Sequence, residues 1–483
     1  NQLARLTKFG DVSLPTRCYG QVIMVSEPTA AVASFAYDFH VALDGSGING
    51  LEGMAGVCCF RYDPVSNAYA WKIRYFDGVG AGHAVAVQPE TGLGFLGNAG
   101  QHLLLYDLRT LDEVARQSTL AFECPRTSLQ GSTHLVWTGP RQFIAAVGEH
   151  FVAFDADRLA APEQLRKHGV KLPHAIKRSA SGRYIAYGSM DQPADGKAGE
   201  ARHIGIWDRE TDTVRIVDLP ATCWHIVAHP TEDLLYAVSF RVAPQDGDDW
   251  HEWGMAWLKQ YAFEIDLATA RVRRHWVAGR DIPAHINSDV ILSDSELLFC
   301  TGGSQTVIGI SLKDFASWRI VIDERPGLAG QIRHPREVAA TVGGTLARGN
   351  IFTNSRHFVG ALMISRGTLL DSIYGCALSA DGKLLFTANR GLNRISVYDY
   401  PSGELRLSVD MPPIQDYFPW MAASADPRLG FHHAALVETK PVVVKSDGRP
   451  PRPPRGNSTG SSPSPPLEPA PSRVPRRVPR PNR

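Results

Sequence analysis

A short pattern recurs along this 483-residue chain, and it limits the fold more than any other feature. Residues 377–405 show it most plainly: ALSADGKLLFTANRGLNRISVYDYPSGEL. An apolar run meets a Ser-x-Asp-Gly turn, a second apolar run follows, and an Asn/Gly-rich hinge leads to a third run ending in aromatic-Asp. The same order returns in HAVAVQPETGLGFLGNAGQHLLLYDLRTLDEV from His83. It returns in HAIKRSASGRYIAYGS from His174, continued by HIGIWDRETDTVRIV, and in HIVAHPTEDLLYAVS from His225, continued by QYAFEIDLATARVRR. Weaker copies start at Leu135 and Asp289. The third runs end on Asp63, Asp107, Asp155, Asp208, Asp266 and Asp399, with Leu312 in the matching slot of one copy. Most consecutive spacings lie between 44 and 58 residues.

Period-two runs of this length, bounded by turn residues, read as strands. Helical periodicity is almost absent; one short piece near residues 162–168 carries it. Four short strands repeated at this period spell a β-propeller. A four-stranded sheet with two apolar faces cannot stand alone, so such sheets stack radially and the ring closes on itself. The expectation is an all-β single β-propeller of seven or eight four-stranded blades over residues 1–445. The count depends on the poor copy at residues 335–370. A partial copy from Pro419 is expected to complete a blade with strands at residues 22–75, so segments near both chain ends close the ring.

Residues 377–405 resemble the YVTN-type propeller repeat, in which SPDGKxLYVAN…NxVSVxDxxTG recurs. That repeat occurs in bacterial surface propellers, lactonase-type propellers and the large chains of amine dehydrogenases. The likeness is close here and looser over some 350 residues. It implies the fold and leaves the activity open, because one fold hosts many functions. Trp-Asp occurs once, at Trp207-Asp208, which weakens a WD40 reading.

Composition sets further limits. Net charge is +1, with 43% hydrophobic and 20% charged residues, as in soluble globular chains. From Ser446 onward eight arginines face only Asp447 and Glu468, leaving the body slightly acidic, so no nucleic-acid partner is expected. Residues 446–483 are rich in Pro and Arg and nearly free of apolar residues, which predicts a disordered tail. No run is long and apolar enough to predict a membrane span. Seven cysteines without a CxxC pair argue against a disulfide framework and for buried small hydrophobes. A cytoplasmic location is expected. The periplasm stays open as an alternative, because the sequence begins NQLARLTKFG without a methionine.

A second regularity concerns chemistry. Five positions before the turn, where a propeller's innermost strand begins at the channel mouth, stand His83, His174, His225 and Tyr374. His285 lies three residues ahead of the slot in its own copy, and His134 one residue after it. Imidazoles from separate rigid strands, converging on one axis, suit a divalent transition metal such as Fe, Mn or Zn. His83, His174, His225 and His285 are the expected ligands. Four axial histidines resemble the iron site of carotenoid-cleaving oxygenases, and three with an oxygen ligand resemble propeller-type oligogalacturonate lyases. The same histidines also suit a structural role, bonding neighbouring turns. His229, within its strand, and His102, at a hinge, fit that role better; His432-His433 fall in the closing copy.

An insertion at residues 241–261, RVAPQDGDDWHEWGMAWLKQY, interrupts one copy between its second and third runs. Read functionally it is a lid, with tryptophans for substrate contact and Asp249 and Glu252 for acid/base work. Tyr374 is the third acid/base candidate. There is no Walker A loop or HExxH. The leading expectation is a metal-dependent enzyme, lyase- or oxygenase-type, acting on a small organic substrate. Two rivals stand beside it. One is a non-catalytic propeller that binds a protein partner through a face; the other is a metal-free lactonase-like hydrolase.

Overall fold

The structure is a computed structural model. With short gaps it describes residues 35–44, 55–119, 134–169, 173–189, 202–239, 260–278, 286–324, 373–410 and 431–438, and the short strands Thr7–Lys8 and Ile23–Met24. The chain divides into a unit of residues 1–441 and a second of residues 442–483. The second, with the whole of the expected tail, lies outside the described residues.

Seven four-stranded antiparallel sheets form the blades of a β-propeller. Blade one is Gly82–Gln88, Leu93–Asn98, His102–Asp107 and Glu113–Ser118. Blade two is Leu135–Trp137, Gln142–Val147, His150–Asp155 and Gln164–Lys167. Blade three is Pro173–Arg178, Tyr184–Ser189, His203–Asp208 and Thr213–Asp218. Blade four is His225–Ala228, Leu234–Val238, Gln260–Asp266 and Arg271–Ala278. Blade five is Ile286–Leu292, Glu296–Gly302, Thr306–Ser311 and Trp318–Asp323. Blade six is Ile373–Leu378, Leu384–Asn389, Arg394–Asp399 and Glu404–Asp410. Blade seven joins Phe431–Glu438 to Tyr37–Asp44, Ala55–Asp63 and Ala68–Phe76. Innermost strands touch their neighbours in turn and return to the start, so the ring is closed.

Each junction between blades has its own apolar core. Phe386 of blade six, for example, meets the rings of Tyr37, Phe39 and Tyr62 of blade seven at 5.6, 5.5 and 5.9 Å. Stacking of this kind covers both faces of every sheet, which explains why the inner strands read as nearly continuous apolar runs. Among the described residues no helix is long and apolar enough to cross a membrane. Cys58, Cys59, Cys223, Cys300 and Cys376 are free and buried, as the sequence suggests.

The recurring aspartates act as turn caps. Asp63, Asp107, Asp155, Asp208 and Asp266 each accept a backbone N–H two or three residues on, at 2.7–3.1 Å. Asp399 instead pairs with Arg406 Nε at 2.6 Å. Four residues after the slot the backbone turns left-handed, at Asn67, Leu111, Asp212, Ala270 and Gly403. In blade five that residue is Phe315, so the slot belongs to Ser311 rather than Leu312.

One further expectation changes. The helical-looking piece near residues 162–168 contains a strand, Gln164–Lys167, paired with His150–Ala153. Four residues are too few to hold a helix against a waiting sheet edge. The ring closes with seven blades. The poor copy at residues 335–370 lies outside the described residues, and the closed ring needs no blade from it.

Candidate metal centre

His83, His134, His174 and His225 mark the starts of the innermost strands of four consecutive blades, one to four. In two of these strands a bulge interrupts the register at the histidine: between Gly82 and Ala84 around His83, and between Pro173 and Ile176 around His174. A bulge frees a residue from pairing and re-aims its side chain. The inner strands of blades five and six carry the same register shift, with Ser288 and Tyr374 at the unpaired backbone position.

The result is a compact imidazole cluster. His83, His134 and His174 each present a ring nitrogen, and these nitrogens lie within 4.8 Å of one another. The closest pair is His83 Nε2 and His174 Nε2, at 2.6 Å. Ring centroids are 5.1 Å apart for His83–His134, 4.7 Å for His83–His174 and 4.6 Å for His134–His174. His225 stands edge-on to His174 at 5.1 Å but is outside the group of converging nitrogens. His174 and His225 are buried, while His83 and His134 are half-buried.

The backbone fixes the orientation of His174. Its Nδ1 lies 3.2 Å from the carbonyl oxygen of Trp224, which only accepts, so Nδ1–H is the donor. In the neutral ring this leaves the Nε2 lone pair aimed into the cluster. Without a cation, His83 Nε2–H then donates to His174 Nε2. Two glycines permit the geometry. A Cβ on Gly188 would stand 2.5 Å from the Cys223 oxygen and 3.0 Å from that of Trp224. A Cβ on Gly82, beside His83, would collide with the Leu43 carbonyl of blade seven.

Three neutral imidazoles fit a divalent transition metal. Metal–nitrogen bonds of about 2.0–2.1 Å in tetrahedral array separate ligand atoms by roughly 3.3 Å. The His83–His174 contact must therefore open by well under 1 Å, within the reach of side-chain rotation.

The structure thus brings together His83 and His174 of the expected ligands and adds His134. His225 contacts His174 without joining the converging set. His285, Asp249 and Glu252 lie outside the described residues. The insertion that carries the two acids leaves after Ser239 and returns at Gln260; its neighbour Val238 pairs with His225, so it is attached at the histidine end of blade four. Tyr374 is buried, with Arg390 Cζ 5.9 Å from its ring centroid. His229 Nδ1 caps its own turn, accepting the Glu232 N–H at 3.1 Å.

No protein-family model and no curated protein sequence matches the chain. Among solved structures it is similar to Kuenenia stuttgartiensis hydrazine synthase, at 14% identity over 74% of this chain and 86% of that one, with a TM-score of 0.44. It is similar to the β-propeller domain of Myceliophteria thermophila Cps50 (Swd1), at 11% identity over 68% and 86%, TM-score 0.43. It is also similar to the dihydro-heme d1 dehydrogenase NirN in complex with DHE, at 12% over 80% and 78%, TM-score 0.44. At such values these likenesses say nothing of activity. The blades themselves define the class: a seven-bladed β-propeller with a histidine cluster where its inner strands begin.

Proposed function

We propose that this chain is a metal-dependent enzyme whose His83, His134 and His174 hold a divalent transition metal, Fe, Mn or Zn. One observation carries the reading: three ring nitrogens from three separate blades lie within 4.8 Å of one another. The Trp224 carbonyl supports it by orienting His174, as outer-shell partners orient metal-bound histidines. Three protein ligands leave positions for water and a small organic substrate. A metal there supplies Lewis acidity or an activated oxygen ligand, the requirement of lyase- and oxygenase-type chemistry.

His225 backs the cluster as a packing partner of His174, and His285 remains a further ligand candidate. Tyr374 and the insertion acids Asp249 and Glu252 are the acid/base candidates. The test is elemental analysis of purified protein beside variants. The reading expects a stoichiometric transition metal, depleted in His134→Ala and His174→Ala while the blades stay folded. Protein that neither carries nor takes up such a metal would overturn it and favour a non-catalytic propeller.

A further inference from the structure

We infer that blade seven carries a second, buried metal site, in which Asp38, His40 and Cys59 take a zinc-like cation. Strand alternation sets Asp38 and His40 on one face of Tyr37–Asp44. The register with Ala55–Asp63 places Cys59 opposite His40 and Arg61 opposite Asp38. One carboxylate oxygen, one imidazole nitrogen and one sulfur thereby lie within 4.8 Å of one another. Relative exposures are 5%, 0% and 4%, so the donors are shut from solvent.

The second observation is an unmet polar atom. His40 Nε2 is buried and has no hydrogen-bond partner, while Nδ1 lies 3.3 Å from Tyr106 Oη of blade one. A buried polar atom left without a partner destabilises the fold. A cation on Nε2 removes the deficit. Nδ1–H then donates to Tyr106 Oη, the outer contact that fixes a metal-bound histidine. Arg61 Nε donates to Asp38 Oδ1 at 2.8 Å, leaving Oδ2 for the cluster.

The neighbouring thiol is a built-in contrast. Cys58 faces the opposite side of the sheet, inside the apolar core shared with blade six, whereas Cys59 faces the junction with blade one. A mixed nitrogen, oxygen and thiolate set suits zinc. On binding, the Cys59 thiol proton leaves to solvent and its sulfur lone pair forms the bond to the cation. Carboxylate and thiolate bring two negative charges to the divalent cation, beside the Arg61 guanidinium already paired with Asp38. The site's position matters for stability: His40 pairs with Cys59 on one side and with Ala435 of Phe431–Glu438 on the other. The cation therefore fastens the blade that closes the ring.

Cobalt(II) titration of the metal-free full chain tests this separately from the axial site, because three imidazoles give no thiolate-to-cobalt band. The expected result is a near-ultraviolet charge-transfer band that saturates at one equivalent. It persists in Cys58→Ser and in the His83→Ala/His174→Ala double variant. It disappears in Cys59→Ser and in His40→Gln, with folding checked by circular dichroism. No band in the wild-type chain overturns the inference, as does a band that survives in a folded Cys59→Ser or His40→Gln. Should both variants fail to fold, X-ray absorption of the wild-type cobalt form decides: a coordination sphere with sulfur supports the site, and one without sulfur overturns it.

Discussion

His83 Nε2 and His174 Nε2 lie 2.6 Å apart although 91 positions separate them in the chain. Nothing local enforces the meeting. It follows from two bulged inner strands whose neighbours in the ring set their spacing.

That dependence makes the site sensitive to backbone far from any ligand. Gly188→Ala puts a methyl group against the Cys223 and Trp224 carbonyls and displaces the acceptor that orients His174. Loss of such an outer partner lowers metal affinity by about 10- to 100-fold. Calorimetric titration of the metal-free variant checks it; unchanged affinity would show that the Trp224 carbonyl plays no part.

Phe386 bears the closure between blades six and seven through three ring contacts. Phe386→Ala removes them from a fully buried site and is expected to cost about 3–5 kcal/mol. Denaturant unfolding measures it.

Acid should weaken the fold through Asp208. The Arg183 guanidinium, bonded at 2.9 and 2.6 Å, holds this carboxyl down to about 2 from its ordinary 3.8. Between those values the unfolded chain binds more protons than the folded one. The ion pair's contribution is full above pH 3.8 and is lost as pH falls through about 2. Thermal unfolding at a series of pH values should show a shallower acid slope in this window for Asp208→Asn than for the wild type.

The left-handed turn position offers a paired test. Ala270 sits at φ 54° and Gly403 at φ 75°. Ala270→Gly relieves an alanine in the left-handed region and should gain about 0.5 kcal/mol after the entropic cost of glycine. Gly403→Ala adds both strain and a collision with the Val321 carbonyl, a loss of about 2 kcal/mol. Melting temperatures of the two variants should move in opposite directions.

The fold is readable because the blades repeat one order of apolar run and turn, closed in five of the seven by a capping aspartate. The start of the inner strand was readable for the same reason, and His83, His174 and His225 stand there. His134 falls outside the expected ligand set because counting five positions back from the turn misses it by one. Its signal was simpler: it immediately precedes the apolar run of its inner strand. The Trp224 carbonyl has no sequence signature, being a backbone atom placed by a close glycine contact. Asp38, His40 and Cys59 stayed hidden because their meeting depends on the strand register, which only the assembled blade reveals.

The seven blades repeat around an axis, but the three converging histidines do not. They come from blades one, two and three, which are adjacent. An ion held by these three would be gripped from one side of the ring. A pseudosymmetric scaffold thereby acquires a front and a back.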